Sequence, residues 1–310
     1  MPLFNLLAVA SAAALTWGIL RALIPLLRRR LLDQPNARSS HSLPTPRGGG
    51  LAFVLVGSPA VAFLGGWLPV LCLPLALVGF LDDRHNLPAA LRYGIQVVTV
   101  LMLLLISPWN LPSIGLLPWL LLLIAGTAVI NFTNFMDGLD GLVAGCMVVL
   151  FAVAALTGMP ALWPLVGSLL GFLLWNWSPA KVFMGDVGST FLGAVFAGVV
   201  LQQASFQAAL GLLLVGTPLL ADACLCVPRR FLAGQRVFKA HRLHLFQRLH
   251  QAGWPHAHVS ILYIGATAVL ALALFWGGLP WLITLAAFEL LLGVWLDQRV
   301  AVPFAIASSI

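Results

Sequence analysis

The sequence predicts an all-α, polytopic membrane helix bundle of about eleven transmembrane helices, with the N-terminus periplasmic and the C-terminus cytoplasmic. Three observations predict it. Of the 310 residues, 61% are hydrophobic and 8% charged, against about 25% charged in a soluble domain. The mean hydropathy is +1.02, and the apolar residues fall into runs near the length that crosses a bilayer. The charged residues collect in alternate connections between those runs, as the positive-inside rule requires.

Candidate spans lie near 3–27, 49–66, 67–81, 93–109, 115–132, 138–157, 159–176, 187–204, 206–226, 258–277 and 279–296. The first lacks a basic leader and is long enough to span, so it is read as a helix and not as a cleaved signal peptide. The triplet Arg28-Arg29-Arg30 then holds its far end in the cytoplasm. Pro and Gly separate the closely spaced second and third, sixth and seventh, and tenth and eleventh spans. No internal repeat is evident, which argues against repeat-built transporter folds. No soluble second domain interrupts the pattern, so residues 1–310 are read as one domain. Its cytoplasmic loops lie near 28–49, 82–92, 131–141, 177–190 and 227–258.

Connections after even-numbered spans hold no Lys, Arg, Asp or Glu. The net charge of +7 is therefore a topological signal, and no nucleic-acid partner is expected. Arg21 and Asp222 lie near the cytoplasmic ends of spans, where they can snorkel. Glu289 lies deeper, and an intramembrane acid is a functional candidate. Cys72, Cys146, Cys224 and Cys226 lie in spans without a CxxC pair. They are read as small core hydrophobes, Cys224-Leu-Cys226 being too tight for an ordinary zinc site.

Three acidic motifs face one side: GFLDDR at 79–84, NFTNFMDGLDG at 131–141 and KVFMGDVGST at 181–190. Five of the nine acids of the chain fall in them, and carboxylates gathered in this way repel unless a cation or proton neutralises them. In a continuous helix a step of three residues turns about 300°. Asn131, Asn134, Asp137 and Asp140 would then line one broad polar face, while an Asn/Asp/Gly-rich turn is the plainer alternative. Asp186, between glycines and just before a span, suits an N-cap or a hard oxygen ligand for Mg²⁺. The EF-hand ligand ladder is absent. In the basic stretch 229–258, His241, Arg242, His244 and Arg248 include helical spacings of three, four and seven, and Arg forks match phosphate. Metal-binding carboxylates beside a phosphate-binding arm at a membrane surface point to phosphoryl-type transfer between a nucleotide and a lipid.

These motifs resemble the polyprenyl-phosphate N-acetylhexosamine-1-phosphate transferases, glycosyltransferase family 4. The resemblance runs through DQPNARSSHSLPTPRGGG at 33–50, the pair Asp82-Asp83, NFTNFMDGLDG, and VFMGDVGSTFLG at 182–193, in matching order. It implies a bundle of ten or eleven helices with a cytoplasmic cleft in the bacterial inner membrane. It implies transfer of an N-acetylamino-sugar 1-phosphate from a UDP-sugar to undecaprenyl phosphate, giving UMP, with Mg²⁺ as cofactor and Mn²⁺ as a substitute. By motif position, Asp186 corresponds to the principal metal ligand, with Asn134 beside it. Asp82 and Asp83 correspond to the pair that assists the lipid phosphate, as base or as metal partner. Arg47, Asn131, Asp137 and Asp140 correspond to positions around the nucleotide and diphosphate. A His-Ile-His-His run common in the family is only partly kept: His244 matches its first histidine, Phe246 and Gln247 replace the last two, and His241, Arg242 and Arg248 compensate. That loop tilts the resemblance toward the O-antigen-initiating branch of lipopolysaccharide biosynthesis.

The sugar is not legible, and a homodimer is the candidate assembly. The main alternative is an ion-coupled transporter, whose charged sites belong near the midplane on broken helices. A lipid-surface protein recruiting a partner through the basic loop is a second, but it leaves the acidic motifs without a use.

Overall fold

The sixteen-residue helix α9 (Asp186–Leu201) is buried on every side from Val187 to Leu201. A helix that is apolar or small all round can occupy only the centre of a bundle. Around it pack α2 (Gly50–Phe63), α4 (Leu73–His85), α5 (Ala89–Leu105) and α6 (Leu116–Met136). Glycine makes the approach possible, since a Cβ on Gly50 of α2 would strike the backbone of Gly188. The structure, a computed structural model, describes residues 2–35, 39–109, 115–235 and 241–308. Arg38, Arg236 and Lys239 of the predicted polar loops lie outside them.

The chain opens with α1 (Leu3–Arg30), and a two-residue antiparallel ladder, Leu32–Asp33 with Thr45–Pro46, closes the first polar loop. The short α3 (Leu68–Leu71) precedes α4. After α6 come α7 (Leu142–Leu156) and α8 (Trp163–Asn176). Beyond α9 follow α10 (Phe206–Val215), α11 (Thr217–Leu232), α12 (Leu245–Gln251), α13 (His256–Arg299) and α14 (Phe304–Ala307). The fold is all-α apart from the ladder. Leu3, Phe63, Leu116 and Leu174 are each at least 70% exposed, and such apolar exterior suits lipid contact in a membrane protein.

The breaks between spans differ from the expected ones in three places. The third predicted span is α3 and α4, separated at Cys72 ahead of Pro74. The ninth is two helices, α10 and α11, bent by 79° at Gly216. The tenth and eleventh are joined as α13, which passes through a non-helical Gly278 (φ 64°, ψ −164°) two residues before Pro280. Among the described residues α1, α6 and α13 are each long and apolar enough to cross a membrane, and the bent pair α10–α11 would be a fourth. The others are shorter. At about 1.5 Å per residue α9 reaches roughly 24 Å, against a hydrocarbon core of about 30 Å.

Helix α8 binds α1 through Gly167 and Gly171, a small-xxx-small stripe that brings backbones together. A Cβ on Gly171 would overlap the backbone of Ala13, and one on Gly167 that of Val9. Gly171→Leu should therefore force α1 off the bundle and cost about 1–3 kcal/mol, read as a lower thermal midpoint in detergent. Gly18→Leu, where nothing lies within 4 Å, should leave the midpoint unchanged.

Candidate active site

The site forms where two loops meet the start of α9. Phe183 N–H donates to the Pro46 carbonyl at 2.9 Å, and Gly49 and Gly50 N–H donate to Phe183 and Met184, each at 2.9 Å. This pairing carries Arg47 to the edge of α9. Gly185 caps the helix with φ +72°, a conformation open to glycine at little cost. A Cβ there would also collide with the Asp83 carboxylate. From the other side Gly79 lets α4 lie on the backbone of Asp186 and Val187, which brings the polar end of α4 into place.

Asp83 then closes the helix. Its carboxylate accepts from the N–H groups of Asp186 at 3.3 Å and Val187 at 3.4 Å, two of the donors that a helix start leaves unpaired. Arg47 Nε lies 3.7 Å from the same carboxylate, and the Arg47 guanidinium also donates to the Asp83 carbonyl. The Asp186 carboxylate receives Asn134 Nδ2 at 2.9 Å, and the same amide reaches Ser189 Oγ at 2.8 Å. Arg92 joins Asp82 (2.6 Å) to Asp186 (3.4 Å).

A cavity of about 370 Å³ opens over this arrangement, lined by Arg47, Asp83, Asp137, Asp186, His241 and His256 among others. Its acids sit at helix ends and in turns, outside the apolar spans. Burial pushes the Asp83 carboxyl up to about 7, helped by the Asp186 charge and opposed by Arg47 and the two N–H groups. Burial and then the charges of Asp186, Asp83 and Asp140 hold Asp137 well above the usual carboxylate range. Asp186 is also raised, by burial first; the Asn134 bond pulls it back and neighbouring Asp82 raises it further. The cleft carries an excess of negative charge that a cation would relieve.

Several sequence-predicted residues stand elsewhere. Helix α6 ends at Met136, so Asn131, Asn134, Asp137 and Asp140 do not share one helical face. Asp137 to Gly141 form a turn, with Gly141 at φ +75°. Asn131 is turned away from the cleft. It exchanges amide hydrogen bonds with Gln96 of α5 at 2.7 and 3.2 Å and donates to the Thr127 carbonyl. Asp140 borders the cleft but is engaged, accepting from Ala180 N–H at 3.1 Å and pairing with His256 at 3.2 Å. Asp82 is held by Arg92 and by the Leu87 N–H at 2.6 Å.

The basic stretch is corrected most. His241 to His244 are not helical, because α12 begins only at Leu245. His241 alone of the four candidates lines the cleft. Burial, and then the positive His244 and Arg230, depress it to about 3, so its ring is neutral. Arg242 is half-buried, and its carbonyl accepts from Gln251. His244 is 2% exposed and faces Asp222 at 3.4 Å. Burial works against its charge, but the Asp222 hydrogen bond outweighs it and lifts the ring to about 9. Arg248, also 2% exposed, donates to the carbonyls of Leu243 and Val302 and pairs with Asp297. Asp222 does not snorkel. It is buried, accepting from the N–H groups of Leu245 and Phe246 and from the Tyr263 hydroxyl at 2.7 Å. Glu289 lines a separate apolar groove between α11 and α13.

Sequence reasoning did not single out Arg92, His256 or Gln96. Gln96 was detectable as a lone amide inside a span, and Arg92 as a base ten residues beyond Asp82 in one loop. His256 carried no signal beyond its position before a span.

Residues 67–204 match the family model described as glycosyl transferase family 4. The decaprenyl-phosphate N-acetylglucosaminephosphotransferase of Mycobacterium leprae is 32% identical, over 84% of this chain and 81% of its own length. The probable undecaprenyl-phosphate N-acetylglucosaminyl 1-phosphate transferase of Bacillus subtilis is 30% identical, over 75% and 73%. A phospho-N-acetylmuramoyl-pentapeptide-transferase of Synechococcus sp. (strain JA-3-3Ab) is 32% identical, over 84% and 88%.

Two outcomes follow from this geometry. Asp83 has a folded-state value near 7, above its unfolded value of about 3.9. The stability it contributes is thus complete below the unfolded value and is lost as pH rises through about 7. In EDTA the thermal midpoint should fall between about pH 5 and pH 8, and the fall should flatten in Asp83→Asn. Arg248→Ala should lower the thermal midpoint by removing contacts to Leu243, Val302 and Asp297, while steady-state kinetics of the folded fraction show an unchanged donor KM.

Proposed function

The chain belongs to glycosyl transferase family 4, with the polyprenyl-phosphate sugar-phosphate transferases, and from that membership we propose that it transfers an N-acetylamino-sugar 1-phosphate from a UDP-sugar to undecaprenyl phosphate. The products are undecaprenyl-diphosphate-sugar and UMP, and the reaction initiates a lipid-linked surface glycan of the O-antigen type. In this reading residues 1–310 form one transferase domain of eleven spans in the bacterial inner membrane. The N-terminus is periplasmic and the cleft opens to the cytoplasm. The observation that carries it is the convergence of Asp83, Asp137, Asp186 and Arg47 on one cleft at the ends of apolar helices. An acceptor with its phosphate at headgroup level and its tail in lipid can reach such a place. A cation path near the midplane, as the transporter alternative needs, is not what these helix-end positions favour.

The cleft residues fit a hard divalent cation. Their donors are carboxylate oxygens, and burial with mutual repulsion raises Asp83, Asp137 and Asp186 together. The carboxylates form an open set, which suits Mg²⁺, since that ion keeps positions for water and substrate phosphates. Asp186 would be the principal ligand, with Asp137 and Asp83 beside it, and Asn134 orients Asp186. When bound, Mg²⁺ neutralises diphosphate charge and eases departure of UMP; Mn²⁺ would substitute.

The protein side chains divide the remaining work. Arg47 offers a guanidinium beside Asp83 to an incoming phosphate. Asp83 faces the cleft and is placed to take the last proton of the acceptor phosphate. An oxygen of that phosphate attacks the sugar-bearing phosphorus, and the bond to the UMP oxygen breaks. Asp82 does not line the cleft, and it acts through Arg92 by fixing the bridge to Asp186. His241 and His256 also line the cleft, where their rings can meet the sugar or the diphosphate.

Incubation of purified protein with a panel of UDP-N-acetylamino sugars and undecaprenyl phosphate, with UMP and lipid-linked sugar as readouts, tests the reaction and selects the sugar. Asp186→Asn keeps the shape and loses the charge. Loss of about 3 kcal/mol of transition-state stabilisation would lower the rate by about a hundredfold or more. The Mg²⁺ titration of the residual activity should shift to higher concentration. Near-normal turnover with an unchanged titration would remove Asp186 from the metal site.

A further inference from the structure

Behind the cleft wall, Cys226 of α11 and His241 and His244 of the segment before α12 bring ligand atoms within 4.8 Å of one another. Cys226 is 5% and His244 2% exposed, and the two imidazoles stack with centroids 4.9 Å apart. We propose that these three side chains form a binding site for a borderline-soft divalent cation, zinc, separate from the carboxylate cleft, and that it fastens the cleft-lining segment 241–244 to α11.

Four features point to it. First, the donor set is one sulfur and two imidazole nitrogens, which selects zinc over the hard cations that carboxylates hold. Second, the geometry needs little change. Tetrahedral zinc with bonds of about 2.0–2.3 Å sets its ligands roughly 3.3–3.6 Å apart, so the trio closes by no more than roughly 1.5 Å. The N–H of Leu243, which donates to His241 Nδ1 at 3.2 Å, is the contact that ligation through that nitrogen would replace.

Third, the ring of His244 is already backed by a carboxylate. Asp222 Oδ1 lies 3.4 Å from His244 Nδ1, and Asp222 is itself fixed by two backbone N–H groups and the Tyr263 hydroxyl. A carboxylate behind a ligating histidine sets its orientation and strengthens it as a donor. Fourth, the Cys226 thiolate and the Asp222 carboxylate would set two negative charges beside the ion against the positive Arg230, with His244 binding as the neutral ring. Three protein ligands would leave the fourth position to water. The sequence held the pattern as Cys226, fourteen residues, then His241-x2-His244. A search confined to cysteine pairs passes over it.

The anchoring role follows from position. Residues 241–244 lack helix or strand, and His241 lines the cleft. A metal at its back would hold that wall in place without touching the substrates' phosphates.

The test uses full-length protein in detergent, stripped of metal and titrated with Co²⁺ as a spectroscopic stand-in. Binding of one Co²⁺ per chain with a thiolate charge-transfer band is expected. Excess Mg²⁺ should not displace it, and stoichiometric Zn²⁺ should. Cys226→Ser should abolish the band and His241→Ala should weaken binding at least tenfold, while Cys224→Ser leaves both intact. A Co²⁺ complex without the thiolate band, or equal binding by Cys226→Ser, would overturn the site. If Cys226→Ser does not fold, the wild-type spectrum and the half-buried His241→Ala decide alone. None of these readouts uses UMP release, so the site stands or falls apart from the transfer reaction.

Discussion

The first N–H groups of α9 have no acceptor within the helix, and the carboxylate of Asp83 answers two of them. Much of the site depends on that contact. A buried helix start without acceptors is strongly unfavourable, so α4 must bring its polar end to α9. Gly79 and Gly185 are the positions where a Cβ would prevent it. The contact also fixes Asp186, the first residue of α9, in the wall of the cleft. Asp83 therefore serves the fold and borders the site with one carboxylate, and the accumulated charge is the cost. Burial beside Asp186 pushes Asp83 toward neutrality, and Arg47 offsets only part of it.

The polar side chains fall into two layers with different tasks. Arg47, Asp83, Asp137 and Asp186 face open space, and their charges are incompletely compensated. Behind them, pairs are closed on the protein: Asn131 with Gln96, Asp222 with His244 and Tyr263, Arg248 with Asp297 and Val302. Buried polar groups remain stable only when satisfied in this way. The closed layer holds helix ends and loops at fixed positions, and so keeps the carboxylates of the open layer together at the cleft. Such a division suits a catalyst acting on anions at a membrane edge, since preorganised groups need not reorganise when charge develops.

The basic stretch shows how the same residue types can serve either layer. Read as a string, His241, Arg242, His244 and Arg248 look like one phosphate-binding arm. In the fold, α12 is only seven residues long, and it seats Arg248 against the tail beyond α13. Asp222, one turn before Cys226 on α11, draws His244 inward. Only His241 is left at the cleft. A cationic side chain buried against carbonyls and a carboxylate, as Arg248 is, is turned from the cleft, whatever its spacing suggests.

The sequence by itself determined the membrane character and the helical class, and it singled out the acids that gather at one cleft. Those follow from composition, from apolar runs of bilayer length and from acids confined to connections, all of which are local properties. Four of the acids it singled out, Asp83, Asp137, Asp140 and Asp186, line one cleft. It also located Gly278 as a break, but it read 206–226 as one span, where α10 and α11 meet at 79° across Gly216. Only the tertiary structure separated the surroundings of Asp82 and Asp83, which are adjacent in sequence but meet different partners because successive helical side chains diverge by about 100°. It decided that α6 stops at Met136, and it turned Asn131 toward Gln96. It also set Cys226 beside two histidines that follow it by fifteen and eighteen residues. Each of these depends on what a neighbouring helix presents at that height, and a partner across the bundle leaves no mark on the spacing of a single strand of sequence.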